Sequence, residues 1–402
     1  MFERALIRRI DGTEIDIGMI AETIFFYDKT HLLLDRGSLL GLAKALSVSD
    51  LERLFESDTV QLSYMTGALG VVSAGSPRTH QFVEFFIGDK DRKKKKLSVP
   101  EEIDSVLRRE FNDSSQATAL RKLFLRHIKA NKSPRDDVPK LTRDDVTDTD
   151  YLVRSVRAIL GRLVPEFTPP ATLEFSIYDT GQGYSVITNL DYIRINELYH
   201  QRVPVQHSSI TTEYLLSFLQ DARAETYFAA HYSAEIVTLP VLSDLIRLKH
   251  FEFLRPRERN ETQLDLFKDL AIGDFPSIRE VINSGERTLS EFLKLVRDAE
   301  RFRNWLHSQN PDASLLREYQ TAATAKTWAD KLPTKGVRFA IATGLGLAGE
   351  VVMPTGISTM AGIAIGAGDT FLLDKIVKGW RPNQFIENRM RSFVKGNDND
   401  RT

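Results

Sequence analysis

Two spacings of apolar residues alternate along this chain, and they divide it into a strand-rich first quarter and a helix-rich remainder. Thr59–Met65, Leu69–Ser73 and Gln81–Ile87 change from apolar to polar at nearly every step, which predicts strands. Ala5–Ile10 is a short apolar run that stops at the turn dipeptide Asp11-Gly12, and Thr23–Tyr27 and Thr30–Leu34 read as strands on either side of Asp28-Lys29. Ser38–Ala45 and Ser49–Glu56 have helical spacing, the second with Ser49 as its expected N-cap. Helices follow at Pro100–Glu110 and Ser115–Ala130, then a polar linker at Lys129–Asp145 and an amphipathic helix at Asp148–Leu163. Thr172–Tyr178 and Tyr184–Leu190 flank Asp179–Gly183 and form the clearest hairpin pattern in the chain. Beyond Tyr192 the pattern predicts helices at 191–201, 211–232, 239–250, 261–270, 277–283, 288–308 and 313–332.

The most apolar and glycine-rich stretch is Phe339–Leu373. Small residues recur there every fourth position, as Ala340, Gly344 and Ala348 and again as Ser358, Gly362, Gly366 and Thr370. On a helix such positions share a face, and a face without bulk lets another backbone come close. The expectation is two helices, Lys335–Val352 and Gly356–Val377, folded against each other across Met353–Pro354–Thr355. They could be buried in a core, an oligomer interface or a membrane. The uncharged run Val351–Gly368 is near the lower limit of the ~17–25 residues that span a bilayer. Glu350 and Asp369 bracket it, and Lys375, Lys378 and Arg381 follow with Trp380 and Phe385, a flank suited to a membrane surface.

Composition narrows the chemistry. Hydrophobic residues make up 42% and charged residues 27% of 402, an ordinary globular balance, and the net charge of −1 gives no global attraction to nucleic acid. The absence of cysteine excludes disulfides, thiol nucleophiles and Cys-ligated metal centres. The N-terminus, charged throughout, lacks the apolar core of a secretory signal, so a cytoplasmic setting is expected, with membrane association as the second possibility.

Four patterns carry candidate chemistry. Asp179-Thr-Gly-Gln-Gly183 and Thr343–Ala348 resemble the DxGxG and GTGLGLA boxes of histidine-kinase-type ATPases, a likeness that would imply adenine binding by Asp179. The two boxes are far apart, no Asn-bearing helix precedes the first, and DTGQG is also good turn chemistry. Asp91 and Lys93 after the strand bearing Glu84 sketch a metal-dependent nuclease without its partner carboxylates. Asp221, Glu225, His231 and Glu235 recur on one helical stretch, but none of the eight histidines has another three or four residues away. These acids read as surface ion-pair partners of Arg223 and its neighbours, with His231 partly buried. Finally, Arg92, Lys93, Lys94, Lys95, Lys96, Arg121, Lys122 and Arg126 could form a phosphate-binding surface.

The sequence thus predicts an α+β protein: a mixed or antiparallel sheet region over residues 1–97, basic helices, a linker and a hairpin over 98–204, and a helical part over 205–402 that ends in a glycine-rich αα-hairpin. No catalytic residue, metal site or cofactor motif is assigned. The leading expectation is a non-enzymatic, partner-sensing protein whose helix pair drives self-association or membrane association, a build that suits a bacterial stress or antiphage-defence effector. The alternative is nucleic-acid binding, or a nuclease, using residues 89–132.

Overall fold

The computed structural model describes residues 2–8, 16–75, 78–86, 97–130, 137–181, 183–271, 277–308, 315 and 382–395. Helices and two sheets make up these residues, as an α+β chain requires. They divide into two compact units, Glu3–Arg259 and Asn260–Thr402 with Met1–Phe2. The expected glycine-rich hairpin and the helix over 313–332 lie outside the described residues, apart from Leu315.

In the first unit a five-stranded sheet has the order β6-β3-β2-β1-β9. Its strands are β1 (Arg4–Ile7), β2 (Lys29–Leu34), β3 (Val60–Tyr64), β6 (Ile128–Ala130) and β9 (Glu235–Val237), and every pairing is parallel. The expected mixed or antiparallel sheet region over 1–97 is thus divided, with this sheet wholly parallel and the antiparallel pairing of Gly67–Ala74 with Thr79–Phe86 in a second sheet. Helices separate β1, β2 and β3, and a strand that returns after a helical crossover lies parallel to its predecessor. One of those helices, α1 (Ile17–Phe26), was expected to be partly a strand over 23–27. Its residues are apolar on nearly every side, eight of them are buried, and a continuous apolar run does not distinguish a buried strand from a buried helix. Asp16 caps it, accepting from the Met19 amide at 2.7 Å.

Helices α2 (Arg36–Ala45) and α3 (Val48–Phe55) follow β2, with Ser47 rather than Ser49 as the N-cap of α3. Helices α4 (Val99–Glu110) and α5 (Ser114–His127) precede β6. The expected linker contains α6 (Asp137–Val146), whose Val138, Thr142 and Val146 form a buried stripe at i, i+4 spacing among polar residues. Helix α7 (Thr149–Leu163) comes next.

The second sheet is antiparallel, β4-β5-β8-β7, built from β4 (Gly67–Ala74), β5 (Thr79–Phe86), β7 (Phe175–Asp179) and β8 (Tyr184–Thr188). Its inner face, with Leu69, Val71, Phe82, Ile177 and Val186, packs on the main core. Its outer face follows from the register: Val72 opposite Gln81, Gly70 opposite Val83, Tyr178 opposite Ser185 and Ser176 opposite Ile187. No Asp, Glu, Lys or Arg stands at its described positions, and Tyr178 and Ile187 are 53% and 57% exposed. The DTGQG segment is the β7–β8 turn. Asp179 accepts from the Gly181 amide at 2.7 Å and Thr180 N–H donates to the Gly183 carbonyl at 2.8 Å.

Helices α8 (Tyr192–Arg202) and α9 (Thr212–Tyr232) follow, and α9 leads into β9. Helix α10 (Pro240–Ala271) is bent at His250, whose φ of −128° and ψ of 39° leave the helical region. Arg247 Nε reaches Glu258 at 2.8 Å. Eleven residues of straight helix would separate their backbones by about 16 Å, beyond the reach of the two side chains, so the bend is what brings them together.

The second unit holds α11 (Ile278–Asn283), α12 (Leu289–Asp298) and α13 (Glu300–His307), then α14 (Pro382–Phe385), a π-helical turn (Ile386–Met390) and α15 (Arg391–Val394). Phe385, expected to flank a membrane-facing segment, is buried and stacks on Phe302 at 5.2 Å. Arg287 ties α15 down, donating to the carbonyls of Phe393 at 2.8 Å and Ser392 at 3.1 Å.

Candidate functional site

In an open parallel sheet, ligands bind outside the carboxyl ends of the strands, where the strand order reverses. Here that point lies at β1, because the chain builds outward from β1 to β2, β3 and β6 and then returns to place β9 on the other side. The residue that leaves β1 there is Arg8, only 4% exposed. Its Nη2 donates to Asp221 Oδ1 at 2.7 Å and its Nε to Glu225 Oε1 at 3.3 Å. Burial opposes the charge on Arg8, but Glu225 and Asp221 outweigh it, so the guanidinium holds its proton more tightly than usual. Asp221 and Glu225 are four residues apart on α9 and share the helix face that lies against β1.

This corrects the reading of these acids as surface partners of Arg223. Glu225 is fully buried and pairs with a residue more than 200 positions away, while Arg223 points to α6 and binds Asp145 through two hydrogen bonds, one of 2.6 Å. Lys249 adds to that second cluster, 3.1 Å from Asp145 and 3.5 Å from Asp148, and lies over the ring of Tyr151 at 4.7 Å. His231 is exposed rather than partly buried, because α9 ends beside it.

The neighbouring strand ends are also tied. Asp35, after β2, accepts from the Ser38 amide at 2.9 Å and hydroxyl at 2.8 Å in a capping box that starts α2. Tyr64, the last residue of β3, donates to Glu102 Oε1 on α4 at 3.0 Å. Burial, and then the Glu102 charge, push its phenol well above its usual range, so it stays protonated. Arg8, Asp35, Tyr64 and Glu102 thus meet other side chains of the protein. Their contacts tie the carboxyl ends of β1, β2 and β3 to α9, α2 and α4.

A Ser–His–Glu group lies near the tip of the antiparallel sheet. Ser73 Oγ is 2.6 Å from His80 Nδ1, and Glu213 Oε1, paired with Arg78 at 2.8 Å, is 4.0 Å from the same nitrogen. A catalytic triad needs its hydroxyl and carboxylate on opposite ring nitrogens. Sharing Nδ1, these groups join the β4–β5 hairpin to the start of α9 instead. Burial lowers the His80 pKa, Glu213 raises it, and Arg78 lowers it again.

Of the residues singled out in the sequence, Ala340, Gly344, Ala348, Ser358, Gly362, Gly366 and Thr370 lie outside the described residues, as do Arg92 and Lys93–Lys96. Arg121, Lys122 and Arg126 lie on α5. Arg121 is 3.0 Å from Asp104, Arg126 is 3.4 Å from Glu52 and 3.7 Å from Glu56, and Lys122 is exposed. Among the described residues no group of three or more His, Asp or Glu side chains is placed to hold a metal ion. Arg8 escaped the sequence reading. Its one signal was that Arg4, Leu6 and Arg8 alternate on a strand, which puts a charge on the same face as a core leucine. No family model, curated protein or solved structure matches this chain.

Proposed function

We propose that this protein works by binding rather than by turning over a substrate, and that it binds a second copy of itself. The observation that supports this reading is the uncharged outer face of the β4-β5-β8-β7 sheet with Tyr178 and Ile187 standing out from it. An antiparallel sheet that faces water usually carries polar and charged residues outward. A face without charge can meet its own copy across a two-fold axis without like-charge repulsion. Its extent is about 400 Å² from strand spacing and rise, roughly half of the ~800 Å² per partner in a standard interface. Residues 335–377, with small residues at every fourth position, are a second self-association element in this reading.

The tied charges at the carboxyl edge fit a binding role, because a buried ion pair specifies structure more readily than it performs chemistry. Among the described residues no helix is long and apolar enough to cross a membrane. The test is light scattering of the full chain over a range of concentrations, for the wild type, Ile187→Lys and Gly362→Leu. Self-association in the wild type that weakens in both variants supports the proposal. A wild type that stays monomeric overturns it. Liposome leakage by a monomeric wild type would point to membrane association instead, and nucleic-acid binding lost in Arg121→Ala/Lys122→Ala would point to the basic region.

A further inference from the structure

The face of the parallel sheet that bears Leu6 and Leu33 becomes polar at the amino end of β1 and across β3 and β6. Register places Arg4, His31, Gln61, Ser63 and Lys129 there on one side, across β1, β2, β3 and β6. Helix α9 covers the core half of this face and ends beside its polar half with His231 and Tyr232. His31 and Ser63 form the floor, 6% and 5% exposed, with His31 Nε2 3.0 Å from Ser63 Oγ. The Tyr232 ring lies against His31 at 3.9 Å. Arg4 Nη1 donates to the Tyr232 carbonyl at 2.9 Å, which holds the arginine beside this floor. Arg4, Lys129 and His231 are exposed around it.

Arg8, Arg223 and Lys249 each face a carboxylate. Among the described residues Arg4 and Lys129 form no ion pair, and both stand on the sheet face that bears His31, Lys129 opposite Ser63. A cluster of cations without an acid is repulsive by itself and attracts an anion that carries more than one charge. We infer that Arg4, Lys129 and His231, around the His31–Ser63 floor, form a binding site for one phosphate group of a small phosphorylated ligand. Arg4 offers a guanidinium fork matched to phosphate oxygens, and Lys129 offers a point charge. Two cations and a histidine around one floor suit a single phosphate, whereas a nucleic-acid strand is held by a groove that follows its backbone.

The experiment uses the full-length protein and inorganic phosphate as the probe, with chloride at matched ionic strength as the control. NMR follows the His31 imidazole while phosphate is titrated at constant pH. Among the described residues, the titratable or charged groups on the face of His31 include Ser63 on β3, Arg4 on β1, Lys29 on β2, Lys129 on β6 and His231 and Tyr232 on α9. Phosphate should shift the His31 signal saturably and raise the pH at which the ring titrates, because an anion favours the imidazolium. Arg4→Ala/Lys129→Ala, both at exposed positions, should weaken phosphate binding at least tenfold while the unfolding midpoint stays close to wild type. An equal response to chloride, or a double variant that binds phosphate as the wild type does, overturns the site. Oligodeoxythymidylate that binds the wild type over a hundredfold tighter than phosphate, and loses that affinity in the double variant, would mark a nucleic-acid track and also overturn it.

Discussion

Arg8 and Asp221, 213 positions apart in the chain, meet at 2.7 Å where β1 ends against α9. With Glu225 they form a largely buried triad that binds β1 to the helix leading into β9. Replacing Arg8 by Met leaves two carboxylates facing a thioether in a low-dielectric setting, which should cost about 3–5 kcal/mol. The triple replacement Arg8→Met/Asp221→Leu/Glu225→Leu should recover much of that loss, because it removes the buried charges together. Urea unfolding of the single and triple variants measures both, and a single-variant cost under about 1 kcal/mol would contradict the triad's role.

The second prediction concerns pH. Burial first, and then the charges of Arg4, Lys129 and His231, lower the His31 pKa from 6.5 to about 4. The folded state therefore keeps this ring neutral at pH values where the unfolded chain already takes up its proton. The stabilising contribution is complete above 6.5 and declines as pH falls from 6.5 toward 4, a loss of about 3 kcal/mol at 1.36 kcal/mol per pKa unit. Unfolding free energies of His31→Asn should lose this slope between pH 6.5 and 4. A variant whose slope equals that of the wild type would show that His31 is not its source.

Asp145 faces two cations, Arg223 and Lys249, and is only 5% exposed. Its replacement by Ala leaves both charges without that carboxylate and should cost about 3–5 kcal/mol. Arg223→Ala alone should cost less, because Lys249 still faces Asp145. Denaturant unfolding of the two variants gives the order.

The two turn glycines allow a comparison. Gly181 and Gly183 have φ of +76° and +154°. A Cβ at Gly181 would meet nothing, so Gly181→Ala should cost about 1 kcal/mol through backbone strain. A Cβ at Gly183 would lie 2.7 Å from the His80 carbonyl oxygen beside the His80–Tyr184 pairing of β5 with β8, so Gly183→Ala should cost clearly more. Equal melting temperatures for the two variants would refute that contact.

Local structure was legible wherever a pattern was long enough to repeat. The β7–β8 hairpin and α7 could be read from the sequence because five or more residues of each keep one period between unambiguous turn or cap residues. The three-residue strands β6 and β9 could not, since so short a segment has no period. Neither could α1, whose apolar run fits a buried element of either kind, nor α6, whose buried stripe is hidden among charges. The sheet was misjudged because strand direction depends on what the chain does between strands, and the missed α1 removed the crossover that makes β1 and β2 parallel.

By itself the sequence determined the α+β class, the helix and strand periods, and the exclusion of thiol chemistry, because these depend on residue type and on neighbours within one turn of helix or one step of strand. Tertiary structure alone decided that Asp221 and Glu225 answer Arg8, that Asp145 gathers Arg223 and Lys249, and that Arg4 and Lys129 share a sheet face with His31. Charge pairing depends on distance through space. Residues far apart in the chain become neighbours only after the strands have taken their places in the sheet.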